Sequence, residues 1–152
     1  MSSADYLVNG LPLPGALVAL LEAERWRRPD DVDRLCTLTG LHDAGDLLFC
    51  DVVSMARNTE QLVAELDRNA ALFGLASSTR SGEPVADRSV LDVDQCVVVA
   101  CTSGDGLVCL DYRASRERPA VVVSDWGAGP EGQVAWRAVA LDIERFAEET
   151  GL

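Results

Sequence analysis

The sequence predicts an α+β fold in a single domain, with helices first, then strands joined by short loops, and one closing helix. Helical periodicity dominates the first half of the chain, and apolar runs of strand length follow between residues 96 and 140. An amphipathic segment with a capping residue then ends the chain. The length of 152 residues suits one hydrophobic core, so residues 1–152 are predicted to form one domain.

The first predicted helix covers residues 16–26. Its apolar residues recur at helical spacing with charged residues between them: Leu17, Leu20, Leu21 and Trp26. Pro14 suits the first turn, because its missing N–H would have no partner there, and Pro29 is expected to end the helix.

A short second helix, a loop and a strand are predicted next. Asp30-Asp31 is suited to cap a helical segment whose core residues are Leu35 and Leu38. Residues 40–45 have the composition of a loop. Residues 47–50 form an apolar run of strand length.

Residues 51–72 favour helix, with Asn58-Thr59-Glu60 as a candidate break between two helices. The expected core face contains Val53, Ala56, Leu62, Val63, Leu66 and Ala70. Asp67 and Arg68 lie on the opposite face, which we expect to contact solvent. Residues 77–88 are rich in Ser, Thr, Gly, Pro and charge, which predicts a surface loop.

Two strands joined by a tight turn are predicted at the centre of the sheet. Residues 96–101 are apolar throughout, as in a strand buried on both faces, and residues 102–106 supply turn residues. Residues 107–112 alternate, so that Leu107, Cys109 and Asp111 share one face and Val108, Leu110 and Tyr112 share the other. The carboxylate of Asp111 therefore needs a partner such as an arginine or a backbone N–H.

The remaining pattern predicts two strands and a helix. Pro119 opens a strand over residues 120–125, a loop covers 127–132, and residues 136–140 return as an extended segment. Asp142 is suited to cap a final helix, and Gly151 is suited to end it. The expected core face of this helix contains Ile143, Phe146 and Ala147.

The charge of the chain disfavours one class of partner and favours another. The formal net charge is −12, and all thirteen cationic side chains are arginines. An acidic surface repels phosphate backbones, so direct binding of nucleic acid is not expected, whereas a basic protein would be attracted. The alternative is that the charge serves solubility alone.

The lack of a recognisable secretory signal and the pattern of cysteines predict an intracellular protein with reduced thiols. The N-terminus lacks the features of a secretory signal and no apolar run is long enough to span a bilayer, so we expect a cytoplasmic protein without membrane contact. Five cysteines without a C-x-x-C pair, and a single histidine, favour buried thiols over a zinc site. One reactive thiol is the alternative.

No catalytic, metal or cofactor site is predicted from the motifs. The turn around Gly104, Asp105 and Gly106 joins strands and lacks the helix N-terminus of a phosphate-binding loop. Ser103 lacks the context of a nucleophile, and His42 is expected to be a solvated loop residue. The spacing of the nearby acids fits no calcium loop; these acids are Asp92, Asp94, Asp105 and Asp111.

The tryptophans are the candidate binding anchors. Trp126 precedes a glycine and Trp136 follows a flexible loop, so both are predicted at strand ends, where aromatic residues often become anchors for a partner. Core packing is the alternative for both residues and for Trp26.

Several segments resemble the SUKH superfamily, the group of yeast cell-wall-synthesis regulators and bacterial immunity proteins. The resemblance rests on Ser103-Gly-Asp-Gly-Leu-Val-Cys-Leu-Asp-Tyr-Arg113, on Pro119-Ala-Val-Val-Val-Ser-Asp125, and on Val139-Ala140 leading to Ile143-Glu-Arg-Phe146. Residues 11–21 also resemble the first helix of the family. Asp125-Trp126-Gly127 stands where the family commonly has Asp-His-Glu, and Asp142 replaces its usual Ser.

The resemblance implies a non-enzymatic domain with a strongly bent, mainly antiparallel sheet that occludes a cognate toxin, for example a basic nuclease. It makes Gly104, Asp105, Asp111 and Phe146 structural signature residues. The candidate protein-binding residues are Tyr112, Arg113, Asp125, Trp126 and Trp136. The alternatives are a regulatory or scaffold protein of the yeast type, and an enzyme or small-molecule binder with a pocket near Tyr112, Arg113 and Trp126.

Overall fold

The computed structural model describes residues 6–41 and 44–152, and it confirms the α+β fold. His42 and part of the predicted loop 40–45 lie outside this range. The helices of the described chain are α1 (Gly15–Glu22), α2 (Val32–Thr39), α3 (Val52–Phe73), α4 (Ser78–Ser81) and α5 (Ile143–Thr150). The strands are β1 (Leu7–Val8), β2 (Leu11–Pro12), β3 (Leu48–Phe49), β4 (Leu75–Ala76), β5 (Leu91–Asp92), β6 (Cys96–Cys101), β7 (Leu107–Asp111), β8 (Ala120–Trp126) and β9 (Val134–Ala140).

The main sheet has five strands in the order β3-β6-β7-β8-β9, and every neighbouring pair is antiparallel. The last four strands follow one another along the chain, as short connections require. Two small ladders accompany the sheet: β1 pairs with β2 antiparallel, and β4 pairs with β5 parallel.

Buried residues form two clusters, one on each face of the main sheet. Val108 and Leu110 of β7 belong to the first cluster with residues of α1, α2 and α5, while Cys109 belongs to the second with Leu62 of α3. The predicted alternation in β7 is therefore confirmed. Burial on both faces also explains why β6 is apolar at every position.

The structure contains a hairpin near the N-terminus, formed by β1 and β2, that was not predicted from the sequence. Asn9 and Gly10 both have positive φ, at 56° and 72°, and form the two-residue turn between β1 and β2. The amide of Asn9 donates to the carbonyls of Val93 and Cys96, at 2.9 and 3.0 Å, and so anchors the hairpin beside β6. An Asn-Gly pair between apolar residues is a strong hairpin signal, so the hairpin could have been predicted from the sequence.

The first helix is shorter than predicted. It starts at Gly15, directly after Pro14, and ends at Glu22, because Glu24 takes a left-handed conformation with φ of 57°. The N–H groups of Arg25 and Trp26 then bond back to the carbonyl of Leu20. Trp26 is buried against Phe49, with ring centroids 4.7 Å apart, so its burial comes from a turn and not from a helical stripe.

The predicted break at residues 58–60 is wrong, since α3 continues through it. The hydroxyl of Thr59 instead accepts a hydrogen bond of 2.9 Å from the N–H of Val98, where β6 has a bulge. The non-helical residue in α3 is Asn69, with φ of −143°. Asp67 and Arg68 are exposed, as expected.

The predicted capping residues of α2 and α5 are confirmed. Asp31 accepts from the N–H of Asp33, and Asp142 accepts from the N–H of Arg145. Gly151 ends α5 with φ of 82°. The predicted loop 77–88 contains one helical turn, α4, which Ser77 caps by accepting from the N–H of Arg80.

Candidate functional site

The antiparallel pairing of β7 and β8 divides the candidate binding residues between two ends of the sheet. Asp111 lies opposite Ala120, and Val108 lies opposite Val123. Arg113, just after β7, is therefore at one end, and Trp126, the last residue of β8, is at the other. A single pocket built from Tyr112, Arg113 and Trp126 does not form; we call the end that carries the turn 102–106 the turn end of the sheet.

Arg113 is bound within the protein. Its guanidinium and the carboxylate of Asp111 form a buried ion pair with Nη2 and Oδ2 2.8 Å apart, and Nε donates to both carboxylate oxygens. Nη1 donates to the backbone carbonyls of Val85 and Asp87, at 3.0 and 3.1 Å. The predicted need of Asp111 for a partner is thus met, and Arg113 ties the loop 82–90 to the sheet instead of facing a partner.

Tyr112 and Trp136 are also core residues. The hydroxyl of Tyr112 donates to the carbonyl of Pro12 at 2.8 Å, and burial raises the pKa of this hydroxyl. The indole N–H of Trp136 donates to the carbonyl of Phe73 at 2.9 Å. Their accessible fractions are 3% and 5%, so neither side chain is placed to contact a partner.

Phe146 lies in the first core cluster with no accessible surface. It packs beside Trp26, with ring centroids 6.1 Å apart. Its burial agrees with the core face that the sequence predicted for the last helix.

Trp126 is the exposed aromatic residue among the candidates. Its side chain borders a pocket of about 340 Å³ at the turn end, and 39% of its surface is accessible. The indole N–H donates to the carbonyl of Asp105 at 3.2 Å, and the ring packs edge to face with Phe73 at a centroid distance of 5.2 Å. These two contacts hold the exposed ring in one orientation.

We call this cavity the tryptophan pocket. It is lined by Thr39, Gly40, Leu41, Gly104, Gly106, Ser124, Asp125, Trp126 and Arg137. The lining residues come from the end of α2, the turn 102–106 and the last two strands. Of these, Gly104, Asp125 and Trp126 were predicted as candidates from the sequence. Arg137 and the end of α2 were not, because neither carries a motif.

The turn 102–106 is built by short-range bonds. The N–H of Thr102 donates to the carbonyl of Gly106, and the N–H of Gly106 donates to the hydroxyl of Thr102. A Cβ at Gly106 would lie 2.8 Å from that hydroxyl and 3.3 Å from Leu41, so only glycine fits. Asp105, at the tip, has a left-handed φ of 65° and presents its carbonyl to Trp126.

Arg137 joins the two walls of the tryptophan pocket. Its guanidinium donates to the carbonyl of Thr39, the last residue of α2, at 2.7 Å, and its Nε lies 3.5 Å from a carboxylate oxygen of Asp125. A Cβ at Gly40 would lie 2.6 Å from the guanidinium, so glycine leaves room for this contact. The cation also lies at the helix C-terminus, where the partial charge is negative.

Comparison with known proteins assigns no function to the tryptophan pocket. No protein-family model, curated protein or solved structure matches this chain. The function of the pocket must therefore follow from its own geometry and charge.

A second, wider cleft of about 760 Å³ lies at the opposite end of the sheet, between the loop 82–90 and the end of β7. Asp92, with 2% of its surface accessible, lines it together with Arg88 and Gln95. Burial acts to raise the pKa of the neighbouring Asp94, but hydrogen bonds from Ser77 and Thr79 outweigh it and hold that pKa below its ordinary value.

Within the described ranges, no group of three or more His, Cys, Asp or Glu side chains is arranged to hold a metal ion. Three thiols are buried, those of Cys50, Cys96 and Cys109, and burial raises the pKa of each. No helix in the part of the chain that the structure describes has both the length and the apolar character needed to cross a bilayer.

Proposed function

We propose that this chain is a non-enzymatic immunity-type protein that binds and neutralises a cognate bacterial toxin in the cytoplasm. One observation carries the proposal: Trp126 is an exposed aromatic ring, held in place at the edge of a pocket on a strongly acidic protein. Rigid aromatic anchors beside a pocket are typical centres of protein–protein interfaces.

The charge of the chain supports a basic partner. A net charge of −12 attracts a cationic protein over long range and accelerates its association. Toxins that cleave nucleic acids are commonly basic, since they bind phosphate backbones. The same charge works against direct binding of nucleic acid by this chain.

The resemblance to the SUKH superfamily is the reason for proposing a toxin as the partner. The residues that carry the resemblance occupy the turn 102–106, β7, β8, the end of β9 and α5, together with β2 and α1 near the start of the chain. The resemblance implies a domain that neutralises a toxin by occluding it, without chemistry of its own. This chain has Asp125-Trp126-Gly127 in place of the common Asp-His-Glu, and Asp125 and Trp126 line the tryptophan pocket.

The experiment is a binding titration against toxin domains encoded beside the gene for this chain. We expect one of them to bind, with affinity that falls between about 50 mM and about 300 mM salt because charge attraction is screened. Trp126→Ala should weaken binding about tenfold or more. Leu141→Ala is the matched control, since Leu141 is 83% exposed and follows β9 at the opposite end of the sheet.

Two results would overturn the proposal. One is the absence of binding to any neighbouring toxin domain, together with a failure to protect cells that express it. The other is equal binding by wild type and Trp126→Ala. A partner unrelated to any toxin would instead favour a regulatory or scaffold protein of the yeast type.

A small-molecule-binding function is the second candidate, because the cleft of about 760 Å³ falls in the size range of ligand sites. Buried Asp92 and partly buried Gln95 would orient a polar ligand there. A thermal-shift screen with metabolites tests it, and Asp92→Asn should abolish any stabilisation that depends on this cleft.

A further inference from the structure

We propose that the tryptophan pocket receives an arginine side chain of the partner, with its guanidinium stacked on Trp126 and paired with Asp125. This inference rests on the proposed function and names the chemistry of the contact. A planar cation beside an exposed indole gains from the ring electrons, and a guanidinium forks onto a carboxylate in a way that an ammonium does not.

The carboxylates at the turn end have acceptor capacity left. Asp125 has one partner in the described chain, Arg137, and the 3.5 Å between Nε and Oδ2 is a long ion pair. Asp105 lies at the tip of the turn, exposed, and its carboxylate has no partner among the described residues. The two carboxylates of Asp105 and Asp125 outnumber the one guanidinium of Arg137, so these three groups together carry a net negative charge.

A partner anion fits this site poorly. Arg137 is the cation that would attract it, but its guanidinium already contacts the carbonyl of Thr39 and the carboxylate of Asp125. The C-terminus of α2 adds a further partial negative charge at Thr39 and Gly40, which line the pocket. Asp125 and the C-terminus of α2, which line the pocket, repel an anion and attract a cation, and the exposed Asp105 in the adjoining turn adds to this preference.

The indole ring of Trp126 is held in a fixed orientation, which suits a flat ligand. Its N–H is occupied by the carbonyl of Asp105, and Phe73 packs against the ring at an interplanar angle of 76°. The ring therefore does not need to reorient when a side chain enters the pocket. Pre-ordering of this kind lowers the entropy cost of the contact.

The test uses a blocked hexa-arginine peptide, with hexalysine and hexacitrulline of the same length as comparisons. Binding is followed by the indole N–H signals in two-dimensional NMR, with Trp126 assigned from Trp126→Phe. We expect hexa-arginine to shift the Trp126 signal, hexalysine to shift it less, and the neutral hexacitrulline to leave it unchanged. Asp125→Asn and Asp105→Asn should each weaken hexa-arginine binding by about threefold or more.

Asp67→Asn is the matched control, because Asp67 is also an exposed carboxylate paired with an arginine, Arg80, but lies on α3 outside the pocket. It should leave binding at the wild-type level. An unchanged Trp126 signal in hexa-arginine, or equal losses in Asp67→Asn and Asp125→Asn, would overturn the arginine contact. Should Asp125→Asn fold poorly, Asp105→Asn alone decides, since the Asp105 carboxylate forms no hydrogen bond or ion pair with the residues that the structure describes.

The two proposals fail separately. If hexa-arginine leaves Trp126 untouched while Trp126→Ala still weakens toxin binding, the arginine contact is wrong and the immunity function stands. If hexa-arginine occupies the pocket but no neighbouring toxin binds, the arginine contact stands and the immunity function is wrong.

Discussion

The ion pair between Asp111 and Arg113 is the most strongly buried one in the described chain, with side chains 6% and 10% accessible. Asp111 sits in β7, where the second core cluster covers its face of the sheet. Its carboxylate is tolerated there because Arg113 donates to it through its backbone N–H, Nε and Nη2, and its guanidinium balances the charge. The pair is therefore a requirement of the fold at this position.

Arg113→Ala should destabilise the protein by roughly 3 to 5 kcal/mol, since it leaves the carboxylate of Asp111 buried without a cation, with the backbone N–H of residue 113 as its remaining donor. Urea unfolding followed by circular dichroism measures the loss. Arg80→Ala is the matched control, because its ion pair with Asp67 is exposed, and it should change stability little. Similar losses in the two variants would contradict the structural role of Arg113; adding Asp111→Asn to Arg113→Ala should recover part of the loss.

Buried acidic groups with high pKa values make the protein sensitive to alkali. Burial, with the neighbouring Cys101 as a second cause, raises the pKa of Cys50 from 9.0 to about 12. Burial also raises the pKa values of Cys96, Cys109 and Tyr112. In the unfolded chain the same groups ionise at ordinary values, so above pH 9 the unfolded state holds fewer protons than the folded state.

The free energy of unfolding should therefore be constant with respect to these groups below about pH 9 and fall as the pH rises further. Each group that stays protonated only in the folded state contributes about 1.4 kcal/mol per pH unit to the slope. Urea titrations between about pH 8 and about pH 11 measure it. Tyr112→Phe should give a shallower slope above the ordinary pKa of tyrosine, and an identical slope would contradict the assignment.

At the scale of elements, the end of α3 is set by the close approach of two backbones. Gly74 follows the helix with φ of 62°, and a Cβ there would lie 2.6 Å from the carbonyl oxygen of Val134 in β9. Gly82 ends α4 with φ of 77°, but nothing lies within 4 Å of its Cβ position. The two glycines thus share a backbone conformation and differ in the space around them.

Gly82→Ala should cost about 1 to 2 kcal/mol, the strain of a left-handed residue with a side chain. Gly74→Ala should cost clearly more, because β9 has to move away from α3 to admit the methyl group. Thermal and urea unfolding of both variants measure the difference. Equal losses would show that the strain alone matters and that the contact with Val134 is loose.

The long helix α3 shows how an element can use residues that weaken it locally. Asn58 and Thr59 are poor helix formers, yet α3 continues through them. The hydroxyl of Thr59 satisfies the N–H of Val98 at the bulge of β6, and the amide of Asn58 contacts the sulfur of Cys50 at 3.4 Å. Contacts with the sheet thus outweigh local propensity.

At the scale of the whole molecule, the two ends of the sheet differ in how they are built. One end is closed by the ion pair of Arg113 with Asp111 and by the loop 82–90, with the wider cleft beside it. The turn end carries the tryptophan pocket and the exposed ring of Trp126. The predicted binding surface is therefore reduced to Asp125 and Trp126, with Arg137 added.

Local signals predicted much of the fold. The alternation in β7, the caps at Asp31 and Asp142, and the glycine at 151 depend on interactions within a few residues, and all are confirmed. The Asn9-Gly10 turn is equally local. The end of α1 was not predictable in this way, because the left-handed residue at Glu24 serves to bring Trp26 against Phe49.

The sequence by itself determined the α+β class, the succession of strands between residues 96 and 140 and the closing helix, the acidic charge and the need of Asp111 for a partner. These properties follow from composition, periodicity and short-range bonds. Only the tertiary structure decided that Arg113 is the cation of Asp111, that Trp136 is core, and that Trp126 shares a pocket with Arg137 and the end of α2. The physical reason is that the burial of Asp111 and the contacts of Trp136 with Phe73 and of Arg137 with Thr39 depend on residues distant in the chain, which no local pattern specifies.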